Sequence, residues 1–307
     1  MKIKNSNFSL FIALISIGVL LFGIGATTPS CGNVKVQFDT SALAMNFVDN
    51  APPVQINYGL NFPIYLQIQN NGGYAIPAGA ANFYLSGIGE NLIGVQSKLV
   101  NTNTLAEKTS YQLGGSEILQ FATQATAAQQ LSRNFNLTMK VDECYSYATL
   151  TQTDICVGKG SGICTLSGDK ISTGKNSAAP VQISNLTEDI TGNKLHLFFK
   201  VSNLGGGEVY LSDADCDKLQ QLDLNEQLKK DRVNIAIRTD PGFTCNIQTA
   251  ESPYSTVQTL EGSTQIGYNV VCEKILEGTD SHSAPTEIAI SYKYRTSLTK
   301  SMTILPA

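Results

Sequence analysis

Apolar and polar residues alternate with a period of two along most of the chain beyond residue 60. The four even-numbered residues from Phe62 to Ile68 are apolar, whereas Gln67 and Gln69 fall on the opposite side of the run. Successive side chains of a β-strand point to opposite faces, so this pattern predicts a strand with one buried face. Further alternating runs lie at 134–141, 195–202, 233–237, 266–272 and 288–294. Clusters of Gly, Asn, Pro and Ser separate the runs at intervals typical of a β-sandwich.

One ordered set of segments occurs twice, about 130 residues apart. A Pro-Val-Gln-Ile segment at 53–56 precedes a strand that ends in Asn-Asn-Gly-Gly at 70–73, and a run with an aromatic residue follows. The same order recurs with Pro-Val-Gln-Ile at 180–183 and Asn-Leu-Gly-Gly at 203–206. Glycine suits such tight turns because it accepts positive φ. The repeat predicts two tandem, related β-sandwiches.

The predicted domain boundaries follow from this repeat. The first immunoglobulin-like sandwich is expected at 34–157 and the second at 180–307. Residues 158–179 are rich in Gly, Ser, Lys and Asn and have no periodicity, so they are expected to form a linker. Between Asp213 and Asp231 the alternation stops, which predicts one short helix or an ordered loop across the end of the second sandwich.

An uncharged stretch precedes the alternating region. The 19 residues from Phe8 to Ala26 carry no charge, and a helix of that length is about 28 Å long, close to the thickness of a bilayer core. Lys2 and Lys4 lie on its N-terminal side, which predicts a cytoplasmic N-terminus and an exported remainder. The stretch is longer than the apolar core of a signal peptide, so segment 1–31 is expected to be a retained single-span anchor.

Two alternatives to a retained anchor stay open. Thr28 and Ser30 are small residues directly before Cys31, so cleavage there with lipidation of Cys31 would give a lipoprotein. Cleavage without lipidation would release the protein. In all three cases the chain beyond Cys31 is exported, and the expected location is the cell membrane with the bulk of the chain outside.

Charge and cysteine content narrow the classes of function. Lys and Arg total 21 against 25 Asp and Glu, so no basic surface is expected to neutralise a nucleic acid backbone. Beyond Cys31 the chain has six cysteines, an even number that fits three disulfides in an oxidising compartment. The disulfide candidates are Cys144, Cys156, Cys164, Cys216, Cys245 and Cys272. Cys245 and Cys272 form the favoured pair because each lies in a strand-like run of the second domain.

Zinc is not expected, because the chain has no Cys-x2-Cys pair and two histidines in total. Asp213, Asp215 and Asp217 form an Asp-x-Asp-x-Asp run, and carboxylates of this kind are ligands that calcium prefers. A calcium loop requires Gly and Glu where this chain has Lys218 and Leu224. The run is therefore expected to be a solvated acidic loop or the start of a helix, with Cys216 tethering it through a disulfide. No metal, cofactor or catalytic residue is predicted.

The strand that ends in Asn-x-Gly-Gly at 199–206 resembles the signature of cell-adhesion-related and similar immunoglobulin-like domains of exported archaeal and bacterial proteins. The layout of a membrane segment, two domains and paired cysteines also resembles envelope proteins of small-genome archaea, including the closing Tyr-Arg-Thr-Ser at 294–297. The resemblance covers roughly residues 44 to 305. It implies an immunoglobulin-like fold and a role at the cell surface, and it supplies no catalytic residues.

Few side chains are candidates for chemistry. His196 falls on the polar face of its strand beside Lys200, and His282 lies in a Ser-rich turn, so neither is placed beside a nucleophile by the sequence. Asn136 and Asn185 begin Asn-Leu-Thr sequons and are candidate glycosylation sites in an exported chain.

The predicted function is that of a non-catalytic envelope protein, anchored in the membrane and exposed at the surface, with a structural, adhesive or interaction role. Its expected partners are the membrane, through the N-terminal helix, and another envelope protein or a second copy of itself. A first alternative is a ligand-binding accessory subunit of a membrane complex or transporter. A second is a secreted hydrolase, which requires a polar pocket containing His196 or a pair of carboxylates.

Overall fold

The structure is a computed structural model that describes residues 40, 42–129, 132–158, 164–171, 175–247, 259–278 and 280–306. The predicted anchor 1–31, with Cys31, lies outside the described residues. All described residues belong to one compact unit, Val36–Ala307. None of the helices in this described part combines the length and the apolar character needed to cross a membrane.

The all-β prediction is confirmed, because strand accounts for 58% of the structure and helix for 5%. The strands are β1 (Leu43–Phe47), β2 (Gln55–Asn57), β3 (Phe62–Asn70), β4 (Ala81–Ser86), β5 (Leu92–Ile93), β6 (Lys98–Val100), β7 (Ser116–Ala127), β8 (Phe135–Val157), β9 (Val181–Thr191), β10 (Lys194–Asn203), β11 (Glu208–Leu211), β12 (Arg232–Arg238), β13 (Phe243–Cys245), β14 (Thr259–Gln265), β15 (Asn269–Ile275) and β16 (His282–Leu305). Two short helices, α1 (Cys216–Gln220) and α2 (Leu224–Gln227), lie in the segment where the alternation stops.

The strands form three sheets. Two four-stranded sheets have the orders β1-β3-β7-β5 and β13-β15-β10-β9. The third has eight strands, with the path β14-β12-β16-β8-β4-β6 and with β11 and β2 also paired to β16. The inward faces of all three sheets contribute to one large hydrophobic core that includes Phe83, Phe121 and Phe199.

The longest pairing in the molecule joins β8 to β16. The two strands are antiparallel and paired without interruption from Phe135 opposite Ile304 to Val157 opposite His282. At about 3.4 Å per residue this ladder is roughly 75 Å long. Strand β8 lies in the first predicted domain and β16 in the second, so the two halves of the chain share one sheet. Immunoglobulin-like sandwiches joined at 158–179 stay a prediction.

Four buried tyrosines reveal a local two-fold axis in this ladder. Tyr145 lies opposite Tyr294, and Tyr147 lies opposite Tyr292. A two-fold rotation that exchanges β8 and β16 places each tyrosine on another tyrosine. The axis of this rotation passes between Ser146 and Lys293, the residue pair that lies between the two tyrosine pairs. The tyrosine rings pack with centroids 5.7 to 6.4 Å apart; three of these contacts are edge to face, and the Tyr147–Tyr292 contact is tilted.

The repeated Asn-x-Gly-Gly turns dock on these tyrosines. In the first repeat, the side chain of Asn70 accepts a hydrogen bond from Gly72 N (3.1 Å) and donates one to Tyr74 O (2.8 Å). The hydroxyl of Tyr147 then accepts from Tyr74 N, at 3.2 Å. A Cβ atom at Gly72 would overlap this hydroxyl, so glycine is required here by close approach of the tyrosine.

The second repeat has the same construction. Asn203 accepts from Gly205 N (3.2 Å) and donates to Gly207 O (2.7 Å). The hydroxyl of Tyr294 accepts from Gly207 N at 2.7 Å, and a Cβ atom at Gly205 would overlap it. The sequence repeat is therefore a repeat of a turn and of the tyrosine that receives it.

The Pro-Val-Gln-Ile segments at 53–56 and 180–183 are not equivalent, although the sequence repeat aligned them. Val181 begins β9 and pairs with Asn203, whereas the residue that pairs with Asn70 is Leu43 of β1. Residues 55–57 form β2, which runs parallel to the end of β16. The equivalent of β9 is therefore β1, which the pattern of apolar residues did not reveal.

One inward-facing residue of β8 breaks the apolar pattern. Glu143 is fully buried, and neither of its carboxylate oxygens has a hydrogen-bond partner among the described residues. Glu143 lies three residues before the axis on β8. The two-fold axis relates it to Ile290, a buried residue of β16. Burial raises the pKa of Glu143 well above its usual range, so this carboxyl is neutral in the folded protein.

Replacing Glu143 by isoleucine tests this description. The unfolded chain loses its proton above about pH 4.3, whereas the folded chain keeps it, so this glutamate destabilises the protein increasingly as pH rises. We expect Glu143→Ile to stabilise the protein, with a gain that is larger at pH 8 than at pH 5 and that changes by at most about 1.4 kcal/mol per pH unit. Urea unfolding at several pH values measures this, with exposed Glu90→Gln as the control. A gain that is the same at pH 5 and pH 8 would show that Glu143 is not a buried neutral acid.

Candidate functional site

A polar cleft opens on the outer face of the eight-stranded sheet, at the local two-fold axis. We call it the axial cleft; its volume is about 360 Å³. Its lining consists of Asn82, Ser212, Asp213, Ala214, Asp215, Cys216, Asp217 and Lys293. The cleft therefore combines one residue from β4, one from β16 and the segment that follows β11.

Lys293 lines the axial cleft, and Ser146 is its partner on the axis, on the neighbouring strand β8. Their tyrosine neighbours on both sides point into the core, so Ser146 and Lys293 point to the opposite face of the sheet. Lys293 Nζ donates a hydrogen bond to Ser146 Oγ, at 2.6 Å. Burial lowers the pKa of Lys293 because it disfavours the ammonium form, and the carboxylate of Asp215 opposes this effect.

The wall formed by 212–217 is held by side chains from two other elements. Asn234 of β12 accepts hydrogen bonds from Ser212 N (3.0 Å) and Ser212 Oγ (2.7 Å). Glu226 of α2 accepts from Asp215 N, at 2.9 Å. These contacts fix the segment over the sheet although it contains no strand.

A small apolar cluster supports the same wall from below. It consists of Tyr84, Cys144, Tyr210, Ala214, Cys216 and Leu219. Within it, a disulfide joins Cys144 of β8 to Cys216 of α1, across a sequence separation of 72 residues. This bond links the first half of the chain to the second, directly beside the axial cleft.

The three aspartates bind three different partners. Asp215 caps α1 by accepting from Asp217 N (2.9 Å) and Lys218 N (3.2 Å). Asp213 forms an ion pair with Lys229, at 3.3 Å. Asp217 accepts from Lys98 Nζ (2.5 Å) and from the Tyr84 hydroxyl (2.8 Å), which lowers the pKa of Asp217. Among the described residues, no three His, Cys, Asp or Glu side chains converge on a possible metal position.

Neither histidine lines the axial cleft. His196 Nδ1 lies 3.6 Å from Glu273 Oε1, and its ring stacks on Phe198. His282 Nε2 lies 3.6 Å from Asp240 Oδ1, at one end of the long ladder. There it borders a second polar cleft of about 610 Å³, which we call the His282 cleft.

The His282 cleft also contains Arg238 and Glu287, which form an ion pair at 3.3 Å. Lys274 pairs with Asp240, so the aspartate beside His282 has a second partner. The His282 cleft therefore holds a histidine beside a carboxylate, and the hydrolase alternative stays a prediction. The sequence did not predict the proximity of His282 and Asp240.

All six cysteine candidates are in disulfides, so the disulfide prediction is confirmed. The pairs are Cys144–Cys216, Cys156–Cys164 and Cys245–Cys272, the last being the pair favoured from the sequence. Both sequon asparagines have exposed positions. Asn136 Oδ1 accepts a hydrogen bond from Thr303 Oγ1 at 2.9 Å, and Asn185 has a positive φ of 55°. Their glycosylation stays a prediction.

Sequence reasoning missed Ser146, Lys293 and Asn82. One signal for the first two was present: Tyr-Ser-Tyr at 145–147 and Tyr-Lys-Tyr at 292–294. Two tyrosines that flank a polar residue place that residue on the opposite face of a strand. Only the register of β8 against β16 shows that the two polar residues are neighbours.

No family model and no curated protein matches this sequence. Among solved structures, a secreted serine protease, VesC from Vibrio cholerae, is similar at 9% sequence identity with a TM-score of 0.21. The match covers 85% of this chain, which spans 50% of that protein's length. A likeness of this size supports no conclusion about fold or function.

Loss of the disulfide beside the axial cleft should cost more stability than loss of a short-range one. Removing Cys144–Cys216 by two Cys→Ser substitutions frees a loop of 72 residues, whereas Cys156–Cys164 encloses 8. In the chain-entropy model the costs are about 4 and about 2.5 kcal/mol. Urea unfolding of the two double variants measures both. A larger loss for Cys156→Ser with Cys164→Ser would contradict the expected order.

Proposed function

We propose that this chain is an exported cell-envelope protein in which two fused repeats act as a rigid spacer and hold an interaction surface away from the membrane. The observation that carries this proposal is the uninterrupted β8–β16 ladder. Each repeat contributes one of the two strands, so bending between the repeats would break ladder hydrogen bonds. A rigid body of this kind suits a structural or adhesive role.

The disulfides support an exported location. Three disulfides use all six cysteines of the described residues, and cytosolic reductants normally keep such cysteines in the thiol form. The uncharged stretch from Phe8 to Ala26 would attach the protein to the membrane. The partner is then an envelope protein or a second copy of the chain.

The His282 cleft favours a second candidate function, that of a ligand-binding accessory subunit of a membrane complex. Its volume of about 610 Å³ is in the range of small-molecule sites, and its lining is largely polar. Replacing 1–31 by an unrelated single-span anchor separates the two candidates. A spacer keeps its surface interactions after this exchange, whereas an accessory subunit that assembles through its anchor loses its membrane partners.

Surface labelling of intact source cells tests the main proposal. A membrane-impermeant, amine-reactive biotin reagent should label the protein in the membrane fraction before lysis, because Lys108, Lys140 and other lysines lie on the exported part. Alkylation without reduction should modify none of the six disulfide cysteines in the mature protein. A cytosolic protein in the same cells is the control. Labelling only after lysis, or six free thiols, would overturn the proposal.

A further inference from the structure

We propose that the Ser146–Lys293 pair, at the edge of the axial cleft, is an acyl-transfer site in which Ser146 is the nucleophile and Lys293 is its general base. This inference goes beyond the spacer role and does not depend on it. It develops the hydrolase alternative, but with a serine and a lysine in place of the His196 or paired carboxylates that the sequence analysis considered.

The geometry of the pair meets the first requirement for nucleophilic catalysis. Lys293 Nζ and Ser146 Oγ are 2.6 Å apart, within the distance over which a base takes a proton from a hydroxyl. Both residues lie on the central strands of the sheet, and both are partly exposed. A pair on rigid strands keeps its separation and needs no rearrangement before reaction.

The surroundings of Lys293 bear on whether it can act as a base. It faces Ser146 from β8, Tyr210 from β11, Asn82 from β4 and the carboxylates of Asp213 and Asp215 from the wall. Burial favours the neutral amine, which is the form that can accept a proton, while Asp215 favours the ammonium. The effect of burial is the larger of the two, so the pKa of Lys293 is lowered from its usual value. A lowered pKa is what a lysine needs to act as a base.

Asn82 supplies a group for the developing negative charge. It lines the same cleft as Lys293 and lies opposite Cys144, two residues along β8 from Ser146. A side-chain amide that donates to an oxyanion typically contributes a factor of 100 or more to the rate. In the proposal, Ser146 is the nucleophile, Lys293 the base and Asn82 the donor to the oxyanion.

The carboxylates of the wall indicate the substrate class. Asp213, Asp215 and Asp217 line the cleft beside Lys293. Asp213 is paired with Lys229 and Asp217 with Lys98, so Asp215 is the carboxylate of the wall that attracts a positive charge. A cleft of about 360 Å³ accepts a group about the size of one amino acid. The fitting substrate is therefore an ester or amide whose acyl part carries an ammonium or guanidinium group.

The reaction has two balanced steps. In the first, Ser146 Oγ adds to the carbonyl carbon while its proton passes to Lys293 Nζ; the leaving alcohol or amine then departs with that proton, and an acyl-serine ester remains. In the second, Lys293 takes a proton from water, the hydroxide adds to the ester, and the proton returns to Ser146 as the acid is released. No metal or redox partner is required.

The test uses the full chain, L-lysine p-nitrophenyl ester as the substrate and a fluorophosphonate as the covalent probe. We expect release of nitrophenol that increases with pH as Lys293 loses its proton, and one fluorophosphonate adduct per chain, on the peptide that contains Ser146. Ser146→Ala should abolish the adduct and lower the rate at least 100-fold. Ser301→Ala, on the exposed part of the same ladder, should change neither.

Two substitutions at Lys293 separate catalysis from structure. Lys293→Met should lower the rate at least 100-fold and remove its pH dependence, while Lys293→Arg keeps the positive charge but cannot act as a base and should be equally inactive. Circular dichroism and Tm must match the wild type for each variant. No adduct on Ser146 in the folded wild type, or full activity in Ser146→Ala, would overturn the inference without affecting the envelope location.

Discussion

The antiparallel pairing of β8 with β16 is the constraint on which the rest of the structure depends. It fixes which residues of one half of the chain lie beside which residues of the other. On its inner face it places four tyrosines together, and each Asn-x-Gly-Gly turn packs against a tyrosine of its own half. On its outer face it places Ser146 beside Lys293. A shift of one residue in this register would exchange the two faces and remove both arrangements.

The local two-fold symmetry is kept by part of the ladder and broken at other positions, among them Glu143 and Ser146. The tyrosines, the turns and the glycines are equivalent in the two halves, because each supports the packing of its own repeat. Glu143 has an apolar counterpart in Ile290, and Ser146 lies on the axis opposite a lysine. Departures from a repeated packing pattern that carry a cost in stability are places where function is expected. Both departures lie within three residues of the axis.

The sequence predicts much of this fold and less of the site. Alternation identified β3, β10, β12 and β16, because each has one face in the core, and the even number of exported cysteines predicted three disulfides. The equivalence of β1 with β9 was missed because β1 is only five residues long and the Pro-Val-Gln-Ile match drew the comparison to 53–56 instead. The proximity of Ser146 to Lys293 depends on pairing between residues far apart in the chain, and a single sequence contains no information on that register.

The most direct test of the shared ladder is a distance measurement between the two halves of the chain. Spin labels at Thr138 and Glu287, and in a second sample at Gln152 and Ser301, each place one label on β8 and one on β16, in a Cys31→Ser background. The ladder predicts one narrow distance distribution in each sample, both centred at about 48 Å before allowance for the label arms. Broad distributions that differ between the two samples would show that the halves move independently and would contradict the account.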